Sequence, residues 1–298
     1  MKRTLIPTLT LFLLCGCATQ NELICDSASK SPVVDAGILN SDEYALNETF
    51  SDEFESNGLD SQKWYDFYPT WTGREGVFHF SRGNVSVEDG RLVLTAKIPD
   101  ESEVSPELKA EGKQGYSTAE VRSKTRIRYG YFELKFKAMN ALVCNAFWLN
   151  DPLDSDKKYK AGDKIEEIDI FEIFGKDTNP KQAVAGRYFM TTHVADTPYV
   201  ESKVWIGRKV SCENPVIPVK FAEGYNVAGL LWTPEKLVWT LNGKVMREMK
   251  NENFHRPLYL NINCEVNSGA GLPEASDLPA KFKVEYVRVW QRKADLKK

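Results

Sequence analysis

The sequence predicts an all-β protein, a sandwich of two facing antiparallel sheets with one sheet concave. Three observations carry the prediction. Short runs rich in β-branched and aromatic residues recur along most of the 298-residue chain. Turn signals separate them, strongest at Asp89-Gly90 and Asn242-Gly243, the residue pairs that tight hairpins favour. No segment carries a convincing amphipathic helical period. Strands are expected, in order, over 91–97, 119–127, 131–138, 146–150, 165–174, 186–194, 225–232, 236–241, 256–266 and 282–291. Tyr129-Gly130 is expected to separate two paired strands. Packed face to face, the two sheets bury the alternating apolar sets.

The run Glu167-Ile168-Asp169-Ile170-Phe171-Glu172 holds the chemistry. On a strand, Glu167 and Asp169 share one face while Ile168 and Ile170 point to the core. Strict alternation would then put Phe171 among the acids and bury Glu172. One extra residue, a β-bulge, reverses this and brings Glu172 to the face of the other two. Two acids so placed are what glycoside hydrolysis needs, one to attack and one to protonate the leaving oxygen. A solvated acidic strand is the alternative for the hexapeptide taken alone.

Two further runs fit a sugar ligand. Over 258–266, Leu258, Leu260, Ile262, Cys264 and Val266 fall on one face. Tyr259, Asn261, Asn263 and Glu265 fall on the other, a polar row suited to a polyhydroxylated ligand. In Asn145-Ala146-Phe147-Trp148-Leu149, Trp148 alternates with Ala146 and can lie on the open face, where an indole packs against a sugar ring.

The chain opens with Lys2 and Arg3, then an apolar run from Leu9 to Leu14, too short to span a membrane. Leu14-Cys15-Gly16-Cys17 resembles a bacterial lipobox, which implies cleavage before Cys17 and lipidation of its thiol. Ala18, rather than an aspartate, then favours the outer membrane, at the cell surface or on the periplasmic face. Residues 1–16 are read as the signal peptide, 17–47 as a lipid-anchored tether and 48–293 as the catalytic domain. A net charge of -3 argues against nucleic acid as a partner. Once Cys15 is removed and Cys17 lipidated, Cys25, Cys144, Cys212 and Cys264 remain. They lack C-x-x-C spacing and are accompanied by three histidines, so no metal site is expected. Cys144 shares a face with Trp148 and Cys264 lies opposite Glu265, so no bridge between them is expected and free thiols are.

The acid motif resembles the bulged E-x-D-x-x-E signature of glycoside hydrolase family 16. Other segments match that family in order: Phe50-Ser51-Asp52-Glu53-Phe54 with Lys63-Trp64, Asn84 to Leu94, Tyr129 to Glu133, Leu237 to Gly243, and Val284 to Trp290. The resemblance covers nearly all of the mature domain. It implies a concanavalin A-like β-jelly roll whose concave face is a long substrate cleft. It implies Glu167 as nucleophile, Glu172 as general acid/base and Asp169 as the helper between them. His193, in Met190-Thr191-Thr192-His193, would reach the catalytic face. The Trp71-Thr72-Gly73-Arg74 loop resembles the tryptophan-bearing loop of the agarase, porphyranase and carrageenase branches. Arg74 could there contact a sulfate or an acidic sugar, its planar fork being suited to oxyanions. Trp71, Arg74, Trp148, His193, Asn263 and Glu265 are thus the expected substrate-binding residues. No cofactor is implied for catalysis. Parts of the family carry a structural calcium on the convex side, for which Gly90 and Glu285 are the candidates here.

The expected function is retaining endo-hydrolysis of a polysaccharide, a red-algal galactan of agarose, porphyran or carrageenan type, by a monomer. A laminarinase-like β-1,3-glucanase is the alternative on the same scaffold. The missing proline in Cys144-Asn145-Ala146-Phe147-Trp148 and the Gly271-Leu272-Pro273 stretch weigh against it. A non-catalytic glycan-binding lipoprotein has no reason to keep three acids. A transglycosylase shares the acids and differs in its acceptor. The insert 151–164, rich in Asp and Lys, would border the cleft.

Overall fold

The computed structural model describes residues 39–40, 42–110, 112, 115–151, 164–178, 183–196 and 209–296. Cys17, Cys25, the leader and most of the 151–164 insert lie outside them. The first described strands are β1 (Tyr44–Leu46), β2 (Trp64–Tyr65), β3 (Gly73–Arg74), β4 (Phe78–Phe80), β5 (Val85–Val87) and β6 (Leu92–Ala96). Next come β7 (Tyr116–Ser123), β8 (Gly130–Lys137), β9 (Cys144–Asn150), β10 (Lys164–Phe174), β11 (Phe189–Asp196) and β12 (Lys209–Glu213). The chain closes with β13 (Asn226–Trp232), β14 (Lys236–Leu241), β15 (Lys244–Lys250), β16 (Tyr259–Glu265) and β17 (Ala280–Arg292). Among the described residues the one α-helical segment is Pro106–Ala110, and no helix is long and apolar enough to cross a membrane.

These strands form two sheets. One runs β15-β14-β13-β8-β17-β6-β5, with β1 also paired to β17. The other runs β12-β11-β10-β9-β16-β7-β4-β3, with β2 also paired to β7. The inward faces share one core, including Phe132, Leu134 and Phe136 from β8 and Phe147, Leu149 and Ile262 from the acid-bearing sheet. The jelly-roll sandwich expected from the sequence is the fold observed.

Every expected strand exists, Lys236–Leu241 with the expected bounds and the others with shifted ends. Both hairpin signals act as read: Asp89 and Gly90 have φ of 51° and 68°, Asn242 and Gly243 of 49° and 78°. Two positive-φ residues in a row give the turn whose twist matches its strands. Two expectations are corrected. Tyr129-Gly130 does not join paired strands; β7 and β8 lie in different sheets, and the positive φ of Tyr129 and Gly130 turns the chain from one to the other. The tether read to residue 47 stops too late, because Tyr44–Leu46 pairs with Arg292 to Trp290 and Leu39 is buried against Tyr131, Leu231 and Val238. Side-chain pairing at the sheet edge is not visible in a three-residue run.

The bulge in β10 decides which side chains reach the outer face of its sheet. Against β9, Asp169 pairs with Trp148 and Phe171 with Phe147, so Ile170 is the extra residue. Ile168, Ile170, Phe171 and Ile173 all enter the core, where Phe171 meets Phe136 at 4.5 Å between ring centroids. Burying a ring of that size is worth about 1.5–3 kcal/mol, and an unbulged strand would forfeit it. The bulge also displaces backbone polar groups from the ladder. Trp239, fully buried on β14 of the opposite sheet, reaches across the core and donates its indole N–H to the Asp169 carbonyl at 3.0 Å.

The insert is rooted at both ends. The fully buried Asp151 carboxylate lies 3.3 Å from Arg126 and 3.1 Å from Arg256, and Lys164 donates to Asn253 at 2.6 Å. Substituting Trp239→Phe removes the indole donor to the Asp169 carbonyl and leaves a cavity where the larger ring was. Chemical denaturation should show a loss of about 1–3 kcal/mol with an unchanged denaturant slope. Stability within about 0.5 kcal/mol of wild type would show that the bulge does not depend on this bond.

Candidate active site

Register explains how the acids meet their neighbours. Glu167 pairs with His193 on β11, and Asp169 with Thr191 on β11 and Trp148 on β9; Glu172, past the bulge, pairs with Phe189 and Ala146. Glu167, Asp169 and Glu172 thus share the outer face of the sheet. Glu166, one residue earlier, points away from them. Its carboxylate accepts the backbone N–H groups of His255 and Arg256 at 3.1 and 3.2 Å, and burial raises its pKa to about 7.

His193 closes the group. Its Nε2 lies 3.1 Å from Asp169 Oδ2 and 3.4 Å from Glu167 Oε1, with the ring largely buried. One imidazole nitrogen between two carboxylates ties the orientation of each to the other. Among the described residues, Glu167, Asp169 and His193 also form the one cluster with ligand atoms close enough to hold an ion. Two carboxyl groups can perform glycosyl hydrolysis without any cofactor.

The polar row on β16 faces the same side. Asn263 accepts the Trp148 indole N–H at 3.1 Å, and Asn261 donates to Asn150 at 3.1 Å. Glu265 lies 3.6 Å from Arg74. Cys144 and Cys264, both free, point to opposite sides: Cys144 joins the small apolar cluster beside the acids and Cys264 the main core.

Trp148 reaches the expected face but is only 8% exposed, because Tyr68 stacks over it at 6.1 Å and 11°. Trp71 is half-buried, edge-on to Tyr68, Phe78 and Phe80. The second half of its expected loop is in fact strand β3, paired with β4. The 66–77 segment therefore lays an aromatic wall over this part of the sheet. Tyr68 is fixed there by Asn150, which donates to its hydroxyl at 2.6 Å.

Sequence reasoning missed Tyr68, Asn150, Glu120 and Arg122. Asn150 follows Trp148 by two residues, so strand parity could have found it. The same parity sorts β7, where Ala119 and Val121 enter the core and Glu120 and Arg122 take the other side. Arg122 lies flat between Tyr259, 3.7 Å from its ring centroid, and Tyr68, at 4.7 Å. Tyr68 sits in an irregular segment, where no periodicity could have assigned it.

Of the two residues considered for calcium, Glu285 has a partner within the fold. Glu285 is the bulged residue of β17, and its carboxylate lies 2.9 Å from the Lys135 ammonium. Glu88, two residues before Gly90, is paired to Lys281 at 2.8 Å.

Comparison with known proteins agrees with this architecture. The family model of the β-porphyranase A–D glycoside hydrolase family 16 domain matches residues 44–292. The chain is 30% identical over 267 residues to β-porphyranase D of Zobellia galactanivorans, covering 82% of this chain and 59% of that protein's length. It is 27% identical over 278 residues to glucan endo-1,3-β-glucosidase A1 of Niallia circulans, covering 83% of this chain and 38% of that one. The crystal structure of a β-porphyranase from the gut bacterium Bacteroides plebeius superposes with a TM-score of 0.67 at 24% identity, covering 84% of this chain and 92% of that chain. With its fold, its bulged acid strand and a family model spanning nearly the whole described domain, the chain belongs to glycoside hydrolase family 16, in the β-porphyranase A–D group.

Proposed function

We propose that the protein is a retaining endo-hydrolase of a red-algal galactan, anchored to the outer membrane through lipidated Cys17. The observation that carries the catalytic part is the β10 bulge, which sets Glu167, Asp169 and Glu172 on one face with His193 at Asp169 and Glu167. A β-linked chain lies along the cleft. Glu167 attacks the anomeric carbon while Glu172 protonates the departing oxygen. Water then opens the glycosyl-enzyme, with Glu172 acting as base, and the anomeric configuration is kept. Asp169 adds negative charge between the two, which favours a protonated acid and, with His193, orients the nucleophile.

The galactan assignment draws on the porphyranase relatives and on Arg74, whose guanidinium is nearly half exposed beside Glu265. Half-buried Trp71 is the aromatic against which a sugar ring would pack, with Tyr68, Trp148 and Asn263 supporting it from behind. A β-1,3-glucanase is the second reading, favoured by the similarity to the Niallia circulans enzyme. A glycan-binding protein without catalysis would leave the Glu167–Asp169–His193 arrangement without a use. Transglycosylation would show as products longer than the substrate without matching reducing-end release.

Purified protein should release oligosaccharides from one member of a panel of agarose, porphyran, κ-carrageenan, laminarin and mixed-linkage glucan. The Glu167→Gln variant should lose on the order of 10³-fold or more in kcat while still binding that substrate. Release from laminarin alone would favour the glucanase, and a Glu167→Gln enzyme of near-normal rate would remove Glu167 from the mechanism. The anchor is tested separately. Full-length protein should partition with membranes and incorporate labelled fatty acid, and Cys17→Ser should abolish both. Labelling that persists in Cys17→Ser would refute lipidation at this residue.

A further inference from the structure

At the end of the sandwich where the chain crosses from β7 to β8, a cavity of about 800 Å³ opens. Its lining includes Tyr44, Arg126, Arg128, Tyr129, Arg292 and Asp295, so three arginines stand there against one acid. Arg126 is held by Asp151 at 3.3 Å, but neither Arg128 nor Arg292 forms an ion pair among the described residues. Both are exposed. Glu235 and Glu43 stand near enough to act on Arg292, though not as ion pairs, which leaves Arg128 the less compensated of the two. The hydrolytic scheme gives none of these residues a task.

We propose that this cavity is a second binding site, which takes a sulfated sugar unit of a galactan chain outside the catalytic cleft. The inference rests on the galactan reading and adds to it a contact remote from the acids.

The fold sets the site before any ligand arrives. Gln291 Nε2 donates to the carbonyls of Arg128 and Tyr129 at 3.1 and 3.2 Å, which fixes the crossing turn. Tyr129 packs edge-on to the buried Trp232 at 5.3 Å, and its hydroxyl lies 2.9 Å from His255 Nδ1. Arg128 lies 5.3 Å from the Tyr129 ring centroid, and Arg292 Nε donates to the Tyr44 hydroxyl at 3.4 Å. Each of these arginines thus has a half-buried phenol beside it. Such pairs suit a sulfated sugar: the guanidinium fork matches the sulfate oxygens, and a ring face packs against sugar C–H groups. A phosphate headgroup held at a membrane would use the charges but not the rings. Arg126 joins the cavity to the cleft. Its guanidinium lies 4.6 Å from the ring centroid of Tyr259, which shares a register row with Asn150 and Glu167. One polymer chain can then occupy both.

The probe is porphyran, with agarose as the neutral comparison, and affinity electrophoresis of the Glu167→Gln protein reads binding without cleavage. Arg128→Ala combined with Arg292→Ala should weaken retention by porphyran roughly tenfold and leave retention by agarose unchanged. In the active protein the same pair should raise KM on the polymer and leave the hydrolysis of oligosaccharides too short to reach the cavity as it was. Thermal melting identifies a variant that fails to fold; Arg128→Glu alone, on an exposed side chain, then carries the test. Porphyran retention unchanged in a folded variant would overturn the inference. So would an equal loss with agarose, which would assign the effect to something other than charge. Loss of binding to vesicles of phosphatidylglycerol in phosphatidylcholine, with porphyran retention intact, would make the cavity a membrane contact and overturn it too. The two readings fail separately. A protein that binds porphyran through Arg128 yet cleaves laminarin alone keeps this site and loses the galactanase, while one that cleaves porphyran with retention unmoved in the variants keeps the galactanase and loses this site.

Discussion

The indole of Trp239 donating to the Asp169 carbonyl is the bond on which the rest of the site depends. A bulge frees backbone groups from the ladder, and a buried carbonyl without a donor costs as much as a lost hydrogen bond. Supplying the donor from the opposite sheet makes the irregularity stable. It also locks the two sheets at the one point where the acid strand departs from its register. Phe171 gives the bulge its packing reason, Trp239 its polar reason, and the spacing of Glu167, Asp169 and Glu172 on one face follows from both. Arg247 lies over the Trp239 ring at 4.7 Å while donating to the Met190 carbonyl on β11, so the strand that carries His193 is tied to the same indole.

Much of this was legible because strands have a period of two. That period sorts Ile168 from Asp169, Cys144 from Cys264 and Asn263 from Ile262, and the one break in it announced the bulge. What stayed hidden had no period to follow. Tyr68 comes from an irregular segment, and its stacking on Trp148 turns an expected open platform into a covered wall. Trp239 reads as one more alternating core residue; nothing local says that its N–H crosses the sandwich. Short edge strands such as Tyr44–Leu46 and Gly73–Arg74 carry too few residues to reveal alternation, so one reads as tether and the other as loop. Tyr129-Gly130 reads as a turn between paired strands because such a residue pair suits any sharp reversal, within a sheet or between sheets.

The opening motif shows how a family-like segment can be structural rather than chemical. Asp52 accepts from the Trp64 indole at 2.9 Å and from the Phe54 N–H at 2.8 Å, while Glu53 engages Arg288 at 2.7 and 2.9 Å. These contacts fasten the first turn of the domain to β17, far along the chain, and contribute through packing and polar satisfaction rather than through substrate. Carboxylates on the acid face have the opposite character. They are crowded against like charges, which a structural role would avoid and a proton-transfer role requires.

The roots of the 151–164 insert have a consequence for how this protein can change over time. Asp151 is gripped by Arg126 and Arg256 just before the insert, and Lys164 is tied to Asn253 just after it. Three residues after that second tether stands Glu167. The chain is therefore fastened on both sides of that stretch before it enters the acid strand. Selection can rewrite or lengthen that stretch to suit a new polymer while the catalytic geometry stays where it was. Novelty and chemistry are insulated from one another by two arginines and a lysine.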